Sequence, residues 1–335
     1  MVAPGLAIDL GSATIRMHVA RRGLVVQEPS VVAVDSRSGG VLAVGEAALA
    51  MIGRTPGYVI MERPVREGVV GDFDLTQQLL QYLLARGGVG RFSHARVVVC
   101  VPPSSTPLEL EAMEQGCLKA GASEVMLLSY PLAGAIGVGL RPSQAMGQLV
   151  LDFGAGHCEA ALLCMGTVVT RAALRKGGDT LDAAVSEYLR SRYDLAVFRS
   201  EAERIRSSID VSTSTPGGES LRAEGRDALT GARRSQILAS SELLEVLAGE
   251  MADIVGVVEH CIQESPGDLA PDLLSSGGVL LGGLAAQRGV VDLVRAASPV
   301  PIKVAEEAQT AAIRGAATCL EEFDRWQRVL AAGTV

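Results

Sequence analysis

The chain contains its own opening strand twice. Leu6-Ala7-Ile8-Asp9-Leu10-Gly11-Ser12-Ala13 begins it, and Leu149-Val150-Leu151-Asp152-Phe153-Gly154-Ala155-Gly156 follows 143 positions later, counted from Asp9 to Asp152. At the same offset Gly23 meets Gly166, and Val25-Val26 meet Val168-Val169. Each copy reads as an apolar strand, an Asp-x-Gly turn, a second strand, a turn at glycine and a third strand. Asp, Gly and Val shared at one offset point to a duplicated domain. The repeat therefore predicts two related units facing each other across a cleft, with an Asp-x-Gly turn on each side.

The 335 residues suffice for about two domains of ordinary size. Behind each hairpin the pattern alternates strands with amphipathic helices. Arg96 to Pro102, Glu124 to Leu128 and Val279 to Leu281 read as strands. Leu108 to Gly121, Pro131 to Gly139, Thr180 to Tyr193, Glu201 to Ile209 and Ser240 to Cys261 read as helices. Such alternation predicts an α/β architecture. Ser212 to Gly218, rich in Ser, Thr, Pro and Gly, reads as an exposed loop. Aromatic residues make up only 3% of the chain, so Val, Leu, Ile and Ala must fill the core.

Charge and cysteine usage narrow the function classes. The net charge is −8 without a Lys/Arg block, which argues against a nucleic-acid carrier. The six cysteines form no CxxC pair, and Cys100 lies in the apolar run Val97 to Val101, as a buried thiol in a reducing compartment would. No stretch resembles a signal peptide, and no uninterrupted apolar run approaches the roughly 18 residues of a membrane span. A cytoplasmic location is expected.

The turns suggest a chemistry. Glycine lets a backbone approach phosphate closely, and successive N–H groups of a tight turn make an anion-binding concavity. A carboxylate beside such a turn can face Mg²⁺ through water, because Mg²⁺ keeps its hydration shell while bridging phosphates. Asp9 and Asp152 are the candidate metal-facing residues, one from each unit.

Ordered motifs along nearly the whole chain resemble the MreB family of bacterial actin-like proteins. They include Asp9-Leu10-Gly11-Ser12-Ala13-Thr14, Gln27-Glu28-Pro29-Ser30-Val31-Val32-Ala33, Gly53-Arg54-Thr55-Pro56-Gly57 and Gly68-Val69-Val70-Gly71-Asp72-Phe73-Asp74. Val98-Val99-Cys100-Val101-Pro102, Pro131-Leu132-Ala133-Gly134-Ala135-Ile136-Gly137, Lys176-Gly177-Gly178-Asp179-Thr180-Leu181-Asp182 and Gly225-Arg226-Asp227-Ala228-Leu229-Thr230-Gly231 continue the series. The resemblance implies duplicated actin-like, RNase H-type domains. Residues 1–140 with 310–335 would form one, carrying a small subdomain at about 32–74. Residues 141–309 would form the other, carrying a small subdomain at about 182–245. It implies ATP and Mg²⁺ in the cleft, and self-assembly into filaments. It also implies partners among cell-wall synthesis and membrane scaffold proteins, and peripheral contact with the inner face of the membrane.

On the resemblance, the nucleotide-facing residues are Asp9, Gly11, Ser12, Ala13 and Thr14 from the first turn, and Asp152, Gly154, Ala155, Gly156 and His157 from the second. Glu203 and Arg206 come from the adenine-side helix, and Gly282, Gly283, Leu284 and Ala285 from the glycine cluster. Several positions depart from the family. Leu284 stands where a third glycine is usual, and Arg206 and Ser208 where Lys and Glu are usual. Ser12-Ala13-Thr14-Ile15 replaces Thr-Ala-Asn-Thr, and His157-Cys158 replaces two threonines. Tyr130 stands where the family has a Glu, the resemblance-based candidate for orienting the attacking water. These departures imply a divergent paralogue with impaired hydrolysis.

Other readings are a sugar or acetate kinase of the same superfamily, a heat-shock chaperone ATPase, and a non-hydrolysing scaffold or regulator that co-assembles with another filament. A kinase lacks a visible substrate base here. A chaperone would continue into a substrate-binding domain, whereas this sequence ends at Val335. For membrane contact the candidate tip is Val89-Gly90-Arg91-Phe92, with Phe92 as its one large apolar residue. The amphipathic segment Cys319 to Leu330 is expected to pack back onto the first unit, since it lacks a cationic face.

Overall fold

A computed structural model describes residues 5–52, 54–66, 69–89, 94–212 and 219–332. Its frame is two five-stranded sheets of the same topology. In the first, the strand order is Ala122–Ser129, Ala95–Val101, Leu6–Leu10, Thr14–Val19, Gly23–Pro29. In the second it is Ile302–Val304, Gly278–Leu281, Gln148–Phe153, Cys158–Cys164, Thr167–Leu174. Each begins as an antiparallel three-stranded meander and then adds two parallel strands beside its first. The central strand Leu6–Leu10 is buried at every position, as a sheet covered on both faces requires.

The repeat in the sequence is thus a repeat in register. Asp9 lies opposite Arg16 in the first hairpin, and Asp152 lies opposite Glu159 in the second. The next turn is matched too: Gly23 and Gly166 hold φ of +78° and +83°, a left-handed conformation that glycine adopts without a Cβ clash.

The helices fall where periodicity placed them. Pro107–Lys119 starts on a capping box, in which Thr106 accepts from the Glu109 N–H and the Glu109 carboxylate accepts from the Thr106 N–H. Tyr130–Gly137, Gly178–Tyr193, Arg199–Ser208 and Ser240–Gln263 match the expected segments within a few residues. The helix Phe73–Gly87 and two small three-stranded sheets complete the layers. Those sheets are built from Val32–Asp35, Gly40–Val44 and Val59–Glu62, and from Leu195–Ala196, Ser220–Asp227 and Arg233–Ala239. Most of the expected loop after Ser212, residues 213–218, lies outside the described residues, as do residues 90–93 with Phe92.

Each large sheet has its own apolar core, and a third core joins them. The joint is the crossing of Tyr130–Gly137 with Ala311–Glu321. A Cβ on Gly137 would lie 1.8 Å from the Ala311 carbonyl oxygen, and one on Gly315 equally close to that of Ala133. Only glycine on both sides permits this backbone contact. Phe323 and Trp326 are buried in the same core, so the C-terminal helix packs back as expected. All six cysteines are free, and five of them are buried.

Candidate functional site

The crossing helices hold the ends of the two hairpins around one cleft. It encloses about 210 Å³ and is lined by both Asp-x-Gly turns, by Tyr130, by Glu203 and Arg206, and by Gly282, Gly283 and Leu284. The sequence-derived residues converge there, with one exception. Ala285 lines a neighbouring apolar hollow instead, because the short helical turn Gly283–Ala286 rotates it away. The cleft is smaller than the roughly 300–1,000 Å³ usual for small-molecule sites. Tyr130, His157 and Leu284, three of the residues that depart from the family pattern, help to fill it.

On the first side, the carboxylate of Asp9 is 4% exposed and has a partner on each oxygen. Tyr130 Oη donates to Oδ1 at 2.8 Å, and Arg16 Nη1 donates to Oδ2 at 3.2 Å. Burial pushes the Asp9 pKa up, and the pull of Arg16 and the Tyr130 hydrogen bond offsets this only in part. Tyr130 is buried as well; burial and the adjacent Asp9 raise its pKa well above the ordinary phenol value. It is a neutral donor at any physiological pH.

On the second side, the His157 ring packs tilted by 42° against that of Tyr130, centroids 4.8 Å apart, and points Nε2 towards Asp152 Oδ2 at 3.8 Å, too long for a hydrogen bond. Burial lowers the imidazole pKa, but the nearby carboxylates of Asp152, Glu159 and Asp9 outweigh it and leave it raised. Glu159 is fully enclosed, and burial pushes its pKa up to about 8. Asp152, His157 and Glu159 each bring a ligand atom within 4.8 Å of the others, the one such trio among the described residues. An imidazole in the set suits transition metals better than Mg²⁺, which prefers oxygen.

The far wall is a polar clamp. The Arg206 guanidinium is held from two sides, by Asp182 Oδ1 at 2.6 Å and by Gln287 Oε1 at 2.7 Å. Gln287 in turn donates to the carbonyls of Arg206 and Ile209. Burial pushes the Asp182 pKa up to about 6 despite Arg206. Arg206 therefore ties three segments together, Gly178–Tyr193, Arg199–Ser208 and the turn before Gln287.

Sequence reasoning missed two cations. Arg63, the residue after the strand Val59–Glu62, donates to the Ser12 carbonyl, and Arg16 reaches Asp9. Arg16 was legible in principle. It follows the turn by five residues and, in a tight hairpin, must lie opposite Asp9. Arg63 is separated from Ser12 by 51 positions, and no local pattern links them.

The MreB/Mbl protein family profile matches residues 3–328. The chain is 37% identical over 332 residues to the cell shape-determining protein MreB of Escherichia coli, covering 97% of this chain and 95% of that protein. It is 35% identical over 328 residues to the cell shape-determining protein Mbl of Bacillus cereus, covering 97% and 98%. Among solved structures it is similar to MreB5 of Spiroplasma citri bound to ADP, with a TM-score of 0.86, 27% identity and 98% of each chain covered. The AMPPNP-bound form of that protein gives a TM-score of 0.87 at 26% identity, covering 98% of this chain and 99% of that one. A MamK double helical filament, at 19% identity and a TM-score of 0.77, shares the fold. The fold is actin-like.

Proposed function

This chain belongs to the MreB/Mbl family, and from that premise we propose that it binds ATP in the cleft and assembles into filaments at the inner face of the cell membrane, organising cell-wall synthesis and cell shape. The observation that carries the reading is the convergence of two duplicated Asp-x-Gly turns and the Gly282-Gly283 pair on one cleft. Gly11 and Gly154 supply close backbone. A Cβ on Gly11 would lie 2.8 Å from the Thr14 carbonyl, and one on Gly154 3.1 Å from that of His157. MreB5, similar over its whole length, is bound to ADP and to AMPPNP in its two structures.

In this reading residues 1–140 with 310–335 form one domain and 141–309 the other. Their small subdomains lie at about 32–74 and 182–245, around the two three-stranded sheets. A cleft of about 210 Å³ must widen to admit a nucleotide. Gly11, Gly154 and Gly156 face the phosphates. Glu203, Gly283 and Leu284 face the nucleoside, and Arg206 holds the wall behind it.

The donor set fits Mg²⁺ poorly. Both oxygens of Asp9 are already engaged by Tyr130 and Arg16, and Asp152 has His157 Nε2 at 3.8 Å from its Oδ2. Hydrolysis is also disfavoured. Tyr130 stands at the water-orienting position, and its hydroxyl hydrogen is committed to Asp9. That hydrogen bond favours a second reading, a slow or non-hydrolysing scaffold that co-assembles with another filament. Negative-stain microscopy of the purified chain with and without ATP tests the proposal. Filaments that require ATP are expected, and a chain that stays monomeric in both conditions contradicts it.

A further inference from the structure

The two hairpins are copies, yet they differ at one position that bears directly on the cleft. Opposite Asp152 stands Glu159, and at the duplicated position opposite Asp9 stands Arg16. The strand Thr14–Val19 alternates, so that Ile15, Met17 and Val19 enter the core while Arg16 faces the other way, towards the cleft it helps to line. Its side chain is 12% exposed. Nη1 is 3.2 Å from Asp9 Oδ2, and Nε is buried without a protein partner. A planar guanidinium with donors to spare thus sits beside the first Asp-x-Gly turn, on the wall of the cleft.

That placement matters for both charges at once. A guanidinium matches phosphate oxygens with paired donors and keeps its proton at any accessible pH. A divalent ion at Asp9 would have to compete with Tyr130 for Oδ1 and with Arg16 for Oδ2, and would sit next to an existing positive charge. In low-dielectric surroundings that repulsion is strongly felt. We infer that Arg16 is the resident cation of the cleft: it neutralises Asp9 and meets the nucleotide phosphates, so that this chain binds ATP and ADP without a divalent ion. The inference rests on the nucleotide-binding reading above.

The test is equilibrium binding of fluorescently labelled ADP to the full chain, in EDTA and in millimolar Mg²⁺, for the wild type, Arg16→Met and Arg16→Lys. The wild-type Kd should change by less than about threefold between the two conditions. Arg16→Met should bind weakly in EDTA and regain at least about tenfold in Mg²⁺, while Arg16→Lys, which keeps the charge, should resemble the wild type. A wild-type protein that loses about tenfold or more in EDTA overturns the inference and leaves nucleotide binding intact, whatever the variants do. A folded Arg16→Met that stays as insensitive to Mg²⁺ as the wild type also overturns it, by showing that Arg16 is only structural. No binding in either condition overturns the nucleotide reading itself, and this inference with it.

Discussion

The hydroxyl of Tyr130 donates its single hydrogen to Asp9, Oη lying 2.8 Å from Oδ1, and so joins the helix that begins at Tyr130 to the first hairpin. The bond has two measurable consequences. Removing the donor in Tyr130→Phe leaves a buried carboxylate oxygen unsatisfied and should cost about 1–3 kcal/mol in urea unfolding. Restoring a base in Tyr130→Glu should raise single-turnover ATP hydrolysis, measured under polymerising conditions, by about 10² or more. A wild-type rate equal to that of the Glu variant contradicts the assignment of this position.

Arg206 predicts a different kind of loss. Its guanidinium is buried between Asp182 and Gln287, so Arg206→Met takes from a buried carboxylate its hydrogen-bonded cation and leaves only Arg199 Nη2 at 3.9 Å. Breaking such a pair from one side costs about 3–5 kcal/mol. The double variant Arg206→Met/Asp182→Leu should recover a large part of this in denaturant unfolding, because no unpaired charge remains. If the double variant is as unstable as the single, the clamp is not the cause.

The same pair gives a pH dependence. The folded pKa of Asp182 is raised from 3.8 to about 6, chiefly by burial. A carboxyl that holds its proton more tightly when folded stabilises fully below its unfolded pKa and loses that contribution as pH rises towards the folded value. Between about pH 4 and pH 6 the wild type should therefore lose up to about 3 kcal/mol relative to Asp182→Asn, whose side chain does not titrate. Unfolding free energies of the two proteins across that window measure the difference directly. A constant difference would contradict it.

The helix crossing can be probed with two glycines. Gly137→Ala places a methyl against the Ala311 carbonyl and should destabilise by about 1–3 kcal/mol or more. Gly249→Ala lies on an exposed face of Ser240–Gln263, where an added Cβ meets no atom within 4 Å, and should stabilise by about 0.5–1 kcal/mol. Thermal melts of both variants separate tight packing from helix propensity.

The hairpins, their Asp-x-Gly turns and most of the helices were legible because each is written in local spacing. The repeat at one offset also implied the facing arrangement, since two copies of a hairpin carry two copies of the register. What escaped was long-range pairing. Arg206 was placed on the adenine-side helix, but its partners are Asp182 and Gln287, the latter 81 positions away. Ala285 was placed with the glycine cluster on the family resemblance, and a short helical turn carries it out of the cleft. Arg16 went unnoticed although the hairpin register fixes it opposite Asp9. An alternating strand shows which face a charge is on, but not that the face is lined by phosphate-sized turns.

If nucleotide bound in this cleft drives filament assembly, blocking the cleft must abolish it. Gly283 offers a direct way to block the site, since it lines the cleft and an added Cβ there would meet no atom within 4 Å. Gly283→Phe should fold, fill the cleft and exclude nucleotide. The decisive measurement is ultracentrifuge pelleting of wild type and Gly283→Phe, with and without ATP. The wild type should pellet only with ATP, and a folded Gly283→Phe protein should stay in the supernatant in both conditions. Equal, ATP-independent pelleting of the two proteins would contradict it.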